Sequence, residues 1–354
     1  MFNPKKLALA RMRRRMTGKA LAEEAGITAD TLSRVEKGHR PPDDSTVVRL
    51  AGALRYPIEF FFGDDPADID ADGVSFRSFS KMSAQEKYAA TSAGQLGVQL
   101  ATWAEHRFNL PDPDLPDLSY QNDPERAALE ARQYWGIGER PIGNMIGFLE
   151  SKGVRVLSLS EDTANVNAFS FWRDGKPYIF LNNFKTAESS IFDSAHELGH
   201  LLLHCKGDLR GDRLLEREAD GFAGAFLMPA NDVRARVDRP VTSDIIITVK
   251  KKWRVSAFAL LHRLWRMKIV STEHHYRSLC IDLSRRGYRS GEPVGVDREI
   301  STVWKQVFSS LWNEKITKDD VAKELNIPID ELEGLVANMT ASGGRPLTRT
   351  LSVV

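Results

Sequence analysis

Cysteine is nearly absent: the 354 residues contain only Cys205 and Cys280. Two such residues form neither a disulfide scaffold nor a CxxC metal knot, so thiol chemistry is excluded as the seat of function and a reducing compartment fits. Long apolar runs are missing as well. Met1 to Arg15 is basic but lacks the uninterrupted apolar segment and small-residue cleavage site of a secretory signal, and no later stretch approaches a bilayer-spanning length. A cytoplasmic protein without a membrane partner is therefore expected. No internal repeat and no low-complexity tract are visible. Excess charge of one sign is lacking too, since the net charge is +1. That balance hides an asymmetry, because Lys5, Lys6, Arg11, Arg13, Arg14, Arg15, Lys19, Arg34, Lys37 and Arg40 face only Glu23, Glu24, Asp30 and Glu36 in the first forty residues. Such a segment suits a polyanionic partner.

With 42% hydrophobic residues, a chain of this length can bury more than one core, and two or three domains are expected. Residues 5–62 carry apolar side chains at helical spacing (Leu7, Leu21, Leu32, Val35, Val47, Leu50, Leu54) and read as five short helices. The acidic run Asp64 to Gly73 breaks that periodicity, and a long helical connector is predicted from about Ser83 to Phe108. After the proline-rich loop Leu110 to Asp123, amphipathic helices are expected over Pro124 to Tyr134 and Ile142 to Lys152. Strands follow over Val154 to Leu159, Ala168 to Trp172 and Tyr178 to Leu181, the last two joined by an Asp174-Gly175 hairpin turn. The division expected is 1–66, a helix-turn-helix domain; 67–123, an acidic linker and helical connector; 124–292, a catalytic domain; and 293–354, a helical accessory domain.

The chemistry concentrates in His196-Glu197-Leu198-Gly199-His200. A four-residue step rotates only about 40° and rises about 6 Å, so both imidazoles lie on one helical face and can reach one ion. Glu197 sits at the edge of that face, where a carboxylate can take a proton from a water acidified by zinc and pass it to a leaving amine. Zinc needs a third protein ligand. His204 lies eight residues from His196, about 12 Å further along the helix, too far to complete the set. It reads as a residue that packs behind the ligands. A second helix over Leu214 to Leu227, with Asp212 as N-cap and Pro229 as stop, buries Leu215, Ala219, Phe222 and Phe226, while Ala223 and Gly224 permit close helix approach. Glu216 and Asp220 share one face of it, so Glu216 can bind the metal while Asp220 fixes an imidazole tautomer. Glu218 competes with Glu216 for the ligand role, and Glu216 is favoured.

Several separated motifs now agree in order: Phe76-Arg77, Trp135 to Gly138, Leu181-Asn182, Ala195 to His204, Glu216 to Asp220 with Phe222-Ala223, Leu227-Met228-Pro229, and Trp253 to Ser256. From about Ser75 to Arg289 the chain resembles the ImmA/IrrE family of zinc metallopeptidases. That resemblance implies a gluzincin-like α+β peptidase domain that cleaves a specific protein, typically a DNA-binding repressor, in a stress or mobile-element response. A substrate would lie on an edge strand, for which Tyr178 to Asn182 is the candidate, an ordinary core strand being the equally weighted alternative. Tyr178, His262, His274, His275 and Tyr276 are all chemically able to stabilise an oxyanion, and nothing in the sequence chooses among them.

Thr17 to Gly38 reads as helix, turn, helix. Gly26 supplies the turn, and Thr28 caps a second helix whose Asp30, Thr31, Ser33, Arg34 and Lys37 could, with Thr28, face the major groove of an operator in double-stranded DNA. Residues 5–63 resemble the XRE-type repressor fold, although Gly18 stands where that family usually has a glutamine that contacts DNA. Some such domains serve in dimerisation or docking, so a homodimer is compatible. Near the C-terminus Val303, Trp304, Val307, Phe308, Leu311 and Trp312 form a helical stripe, and Thr317 to Pro328 is faintly helix-turn-helix-like. An accessory role in packing or substrate recognition is preferred there to a second DNA reader. The whole is expected to be multidomain and mainly α, with an all-α helix-turn-helix domain, an α+β peptidase domain holding a small sheet, and a helical C-terminal domain. Two other functions compete: a non-enzymatic, zinc-sensing or structural-metal DNA-binding regulator, and one half of a toxin–antitoxin or phage-defence pair.

Overall fold

The structure, a computed structural model, describes residues 1–69, 83–159, 168–182, 185–204 and 212–340. Phe76, Arg77, the end of the acidic run from Asp70 to Gly73, Cys205 to Gly207 and the tail from Gly343 lie outside these residues.

Four α-helices open the chain: α1 (Pro4–Arg13), α2 (Gly18–Glu24), α3 (Ala29–Glu36) and α4 (Asp44–Leu54), followed by a 3-10 turn at Ile58–Phe62. Each α-helix begins at a side chain that accepts from an otherwise orphaned backbone N–H, supplied by Asn3, Thr17, Thr28 and Asp43. Leu7, Leu21, Leu32, Val35, Leu50, Leu54, Phe60 and Phe61 form the core of this bundle. Between α2 and α3 the chain turns through Gly26 at φ 61°, which glycine adopts without a Cβ penalty.

The connector is a single helix, α5 (Ala84–Glu105), started by a Ser83/Glu86 capping box. It is a shared wall rather than a free tether. On one side Arg13 Nη1 donates to the Ala89 carbonyl at 2.9 Å. On the other, a Cβ on Gly97 would fall 2.5 Å from the Phe180 ring, so the helix is seated directly on the sheet.

Two short helices, α6 (Pro124–Tyr134) and α7 (Met145–Ser151), lead into strands β1 (Arg155–Leu159), β2 (Ala168–Arg173) and β3 (Lys176–Asn182). The strand order is β1-β3-β2, with β1 parallel and β2 antiparallel to β3. Asp174 and Gly175, at φ 48° and 72°, close the β2–β3 hairpin as their sequence suggests. The expectation that Tyr178 to Asn182 forms an edge is overturned. β3 is the central strand, paired along both sides, and an all-apolar run flanked by two partners is what that position favours.

Helices α8 (Ala187–Leu203) and α9 (Asp212–Leu227) pack antiparallel against one another beside the sheet. Asp212 is the first residue of α9 rather than its cap. Then follow α10 (Ala230–Arg236), α11 (Ser243–Trp253), α12 (Ala257–Arg266) and α13 (Glu273–Arg285). Lys250 of α11 is wholly buried between Glu188, at 3.2 Å in the first turn of α8, and Glu292, at 2.9 Å.

The last helices are α14 (Thr302–Asn313), α15 (Lys318–Glu324) and α16 (Ile329–Leu335). Trp304, Val307 and Leu311 form the buried stripe of α14, whereas Trp312, expected on it, is 70% exposed. Carboxylates are exchanged between α7 and α14. Glu150 accepts from the backbone N–H groups of Thr302 (2.7 Å) and Val303 (3.1 Å), and Glu299 accepts from those of Met145 (2.7 Å) and Ile146 (3.1 Å). Each helix N-terminus thus receives the negative charge its dipole favours.

The pair α15–α16 repeats the pattern of α2–α3, a likeness only faintly visible in the sequence. Thr317 caps as Thr17 does, Val321 and Leu332 are buried as Leu21 and Leu32 are, and Asn326 turns at φ 54° where Gly26 turns at 61°. The environment is inverted. In α16 Glu331, Leu332, Gly334 and Leu335 are buried, and Glu331 receives Arg13 Nη2 and Tyr56 Oη, both at 2.8 Å. With four of its seven residues buried and Asp330 and Glu333 as its exposed side chains, this helix offers no basic face to DNA.

Candidate metal centre

The centre is built where α8 crosses α9. Gly199 makes the crossing close, since a Cβ there would meet the Ala219 Cα at 3.3 Å and the Phe222 ring at 3.1 Å. Gly224, expected to permit close approach, leaves room instead, with only the Arg263 stem within 4 Å of an added Cβ. At the crossing, His196 Nε2 and His200 Nε2 lie 3.1 Å apart, and each is 3.4 Å from a Glu216 carboxylate oxygen. One donor atom from each of the three residues falls within 4.8 Å of the others, and His200 and Glu216 are buried.

The partners of the outer ring nitrogens decide what those atoms present. A carboxylate only accepts, so Asp220 Oδ1, 2.9 Å from His196 Nδ1, requires the proton on Nδ1 and leaves a lone pair on Nε2. His200 is oriented through a longer chain. Glu218 Oε2 lies 3.1 Å from His204 Nε2, which must donate, so His204 Nδ1 accepts from His200 Nδ1 at 2.9 Å. The lone pair of His200 Nε2 is thereby aimed at the same point. With both rings in these tautomers, two imidazole lone pairs and a carboxylate converge on one point, an arrangement that a cation satisfies. The donor set of two nitrogens and one oxygen is one that zinc accepts with a coordination position to spare.

In the absence of a cation the same point attracts a proton, which a metal ion must displace from His196 Nε2. Burial lowers His196, but the hydrogen bonds to Asp220 and Glu216 outweigh it and carry the group up to about 10. Burial lowers His200. Burial would raise Glu216, yet its hydrogen bonds to His196 and His200 hold it well below the usual carboxylate range. Charge at this point is strongly stabilised by its neighbours.

Glu197 is buried on the sheet side of α8. Ser170 Oγ donates to its Oε2 at 2.6 Å. Side chains alternate along β2, so Phe169 and Phe171 pack toward α5 while Ser170 and Trp172 face α8, where Trp172 Nε1 donates to the Leu201 carbonyl at 3.1 Å. Ser170 escaped the sequence reading. Its signal was a lone small polar residue between two aromatics in a strand, a position that side-chain alternation sends to the opposite face.

Of the expected residues, the structure brings together His196, His200, Glu216 and Asp220, with Glu197 alongside. His204 and Glu218, read as a packing residue and a rival ligand, are joined to each other behind His200. Among the five oxyanion candidates, Tyr178 stacks on Phe171, on the face of the sheet away from Ser170, and burial pushes it up to about 12. His275 Nε2 bonds the Val241 carbonyl at 2.9 Å, and His274 is exposed on α13. His262 alone lines the cavity that Asp220 also lines, and its Nδ1 accepts from Tyr276 Oη at 2.8 Å.

At the other end of the chain α3 exposes Asp30 and Arg34, which pair at 3.0 Å, and ends at the exposed Lys37. Thr31 and Ser33 are half-buried, and Thr28 Oγ1 accepts the Thr31 N–H at 3.1 Å.

The chain joins a helix-turn-helix unit to an α+β domain that carries a candidate metal centre. Residues 149–265 match the family model described as the IrrE N-terminal-like domain, a peptidase family, and residues 7–61 match the helix-turn-helix model. The peptidase match runs from the end of α7 to α12 and encloses every residue of the centre. No curated protein matches the chain. Among the described residues no helix is long and apolar enough to cross a membrane.

Proposed function

We propose that the chain is a zinc endopeptidase that regulates transcription, cutting a specific regulatory protein of the DNA-binding repressor type and binding an operator through its first 63 residues. The observation that carries the reading is the convergence of two oriented lone pairs and a carboxylate beside a buried glutamate. His196, His200 and Glu216 hold the ion, Asp220 fixes the His196 tautomer, and Glu218 through His204 fixes that of His200. When bound, zinc supplies a Lewis acid and a water acidified to near neutral pH. Glu197, aligned by Ser170, receives the proton of the attacking water on its carboxylate and returns it to the nitrogen of the leaving amine. A purely structural metal site needs no such base. The outer strand beside Glu197 is β2, which replaces β3 as the strand against which a substrate segment would extend. In the helix-turn-helix, Thr28, Asp30, Thr31, Ser33, Arg34 and Lys37 form the face turned to DNA, with Arg34 and Lys37 supplying its positive charge.

Purified wild-type and Glu197→Gln chains, each loaded with one equivalent of zinc, are incubated with a helix-turn-helix repressor encoded beside this protein. Cleavage by the wild type and a loss of at least about a hundredfold in the variant are expected. Equal cleavage by both would remove the catalytic role of Glu197.

A further inference from the structure

A cavity of about 480 Å³ opens beside the centre, between the first half of α8, the Asp220–Gly224 turn of α9, and α12. It borders the metal cluster at Asp220, the partner of His196 Nδ1, which forms part of its wall. Its size suits one large side chain with the backbone that carries it. Phe192 comes from α8, one turn before His196; Phe258 and Ala259 come from α12; and on the α9 side Gly224 leaves space, while Gly221 is covered by Pro124 and Arg266. At Gly224 an added Cβ would find only the Arg263 stem, at 3.8 Å.

Most charges on the wall are cancelled within it. Lys185 pairs with Asp193 at 2.6 Å, Arg263 is clasped by Glu125, and Asp220 is committed to His196. Arg266 remains. Its guanidinium crosses α9 at Gly221, where a Cβ would lie 2.9 Å from it, and it has no partner among the described residues. The wall thus combines the apolar surface of Phe192, Phe258 and Ala259 with the polar Ser189, Ser256 and His262 and one uncompensated positive charge.

From this we infer that the cavity is the specificity subsite of the proposed peptidase: it takes a large apolar or aromatic side chain next to the cleaved bond and rejects Lys and Arg. The inference rests on the peptidase reading. Gly224 on the α9 wall makes the depth, Phe192 and Phe258 supply the contact area, and Arg266 repels a basic side chain at the mouth. Gly224 is the residue at which selectivity can be changed without touching the metal cluster.

Two measurements decide the matter. In the first, zinc-loaded Glu197→Gln chain is examined by saturation-transfer NMR with N-acetyl-phenylalanine amide, N-acetyl-lysine amide and N-acetyl-glycine amide. Saturation of the phenylalanine ring is expected, with little for the other two, and it disappears when Gly224→Leu is added. Equal saturation of all three compounds, or a phenylalanine signal that survives Gly224→Leu, would overturn the subsite. In the second, wild-type and Gly224→Leu chains digest a proteome-derived peptide mixture. Large apolar residues should be enriched at one fixed position beside the cut, and Gly224→Leu should shift that position toward Ala, Ser and Gly by about tenfold. Cuts without positional preference, or a preference that Gly224→Leu leaves unchanged, count against the subsite. If neither chain cuts and Glu197→Gln is indistinguishable from wild type, the peptidase reading fails while the NMR result still judges the cavity. Zinc content and melting temperature of Gly224→Leu establish that the variant is folded and loaded.

Discussion

Two imidazoles four residues apart do not by themselves make a metal site; what orients them does. His196 and His200 were legible because helical periodicity puts them on one face, and Glu216 because it stands one turn from Asp220 on the next helix. The relay from Glu218 through His204 to His200 was not legible. His204 lies at the C-terminal end of α8 and Glu218 two turns into α9, and nothing in their spacing says that the intervening segment folds back to join them. The resulting contact gives His204 a definite consequence. Replacing it by Phe keeps the volume but leaves His200 Nδ1 without its acceptor, and zinc affinity, measured by competition with a chelator, should fall about 10–100-fold. Unchanged affinity would show that the relay does not hold His200.

The helices themselves were the easiest part to read. Caps at Thr17, Thr28 and Ser83, and the boundaries Pro124–Tyr134, follow from local chemistry that tertiary structure had no reason to override. The position of β3 was left open between edge and core because an apolar run of four residues reads the same whether one side or both are paired. The carboxylates exchanged between α7 and α14 join residues about 150 positions apart and leave no periodic trace. They have a pH signature. Burial outweighs the hydrogen bonds from Ser301, Val303 and Thr302 and raises Glu150 from 4.5 to about 7. The folded chain therefore holds a proton on Glu150 through that window which the unfolded chain has released. The corresponding stability is present at low pH and is lost as pH rises from about 4.5 to about 7, by roughly 3 kcal/mol. Urea unfolding at about pH 5 and about pH 7.5 should show this decline in the wild type and a smaller one in Glu150→Gln. The same decline in both chains would place its origin elsewhere.

The molecule as a whole is held together by its two related ends. The C-terminal helix pair kept the hydrophobic positions of a helix-turn-helix, which is why it was faintly visible in sequence. It exchanged the exposed polar face of α3 for the buried acidic surface of α16. Arg13 and Glu331, with 7% and 4% of their side chains exposed, meet at 2.8 Å in that interface, and Arg14 reaches Asp330 at 2.6 Å. Removing one member of a buried pair leaves an uncompensated charge, at a cost of about 3–5 kcal/mol. In calorimetry Glu331→Ala should separate the N-terminal bundle as an earlier transition from a main one that changes little. A single transition at the wild-type temperature would show that the ends are not coupled through this pair.

Everything proposed for the peptidase half depends on which atoms hold the ion, and a crystal of the zinc-loaded chain measured at the zinc absorption edge reports that directly. The expected result is one anomalous peak within about 2.1 Å of His196 Nε2, His200 Nε2 and a Glu216 oxygen, with His204 and Glu218 outside bonding distance. A peak bound by His204 or Glu218, or none at the crossing of α8 and α9, would contradict the account.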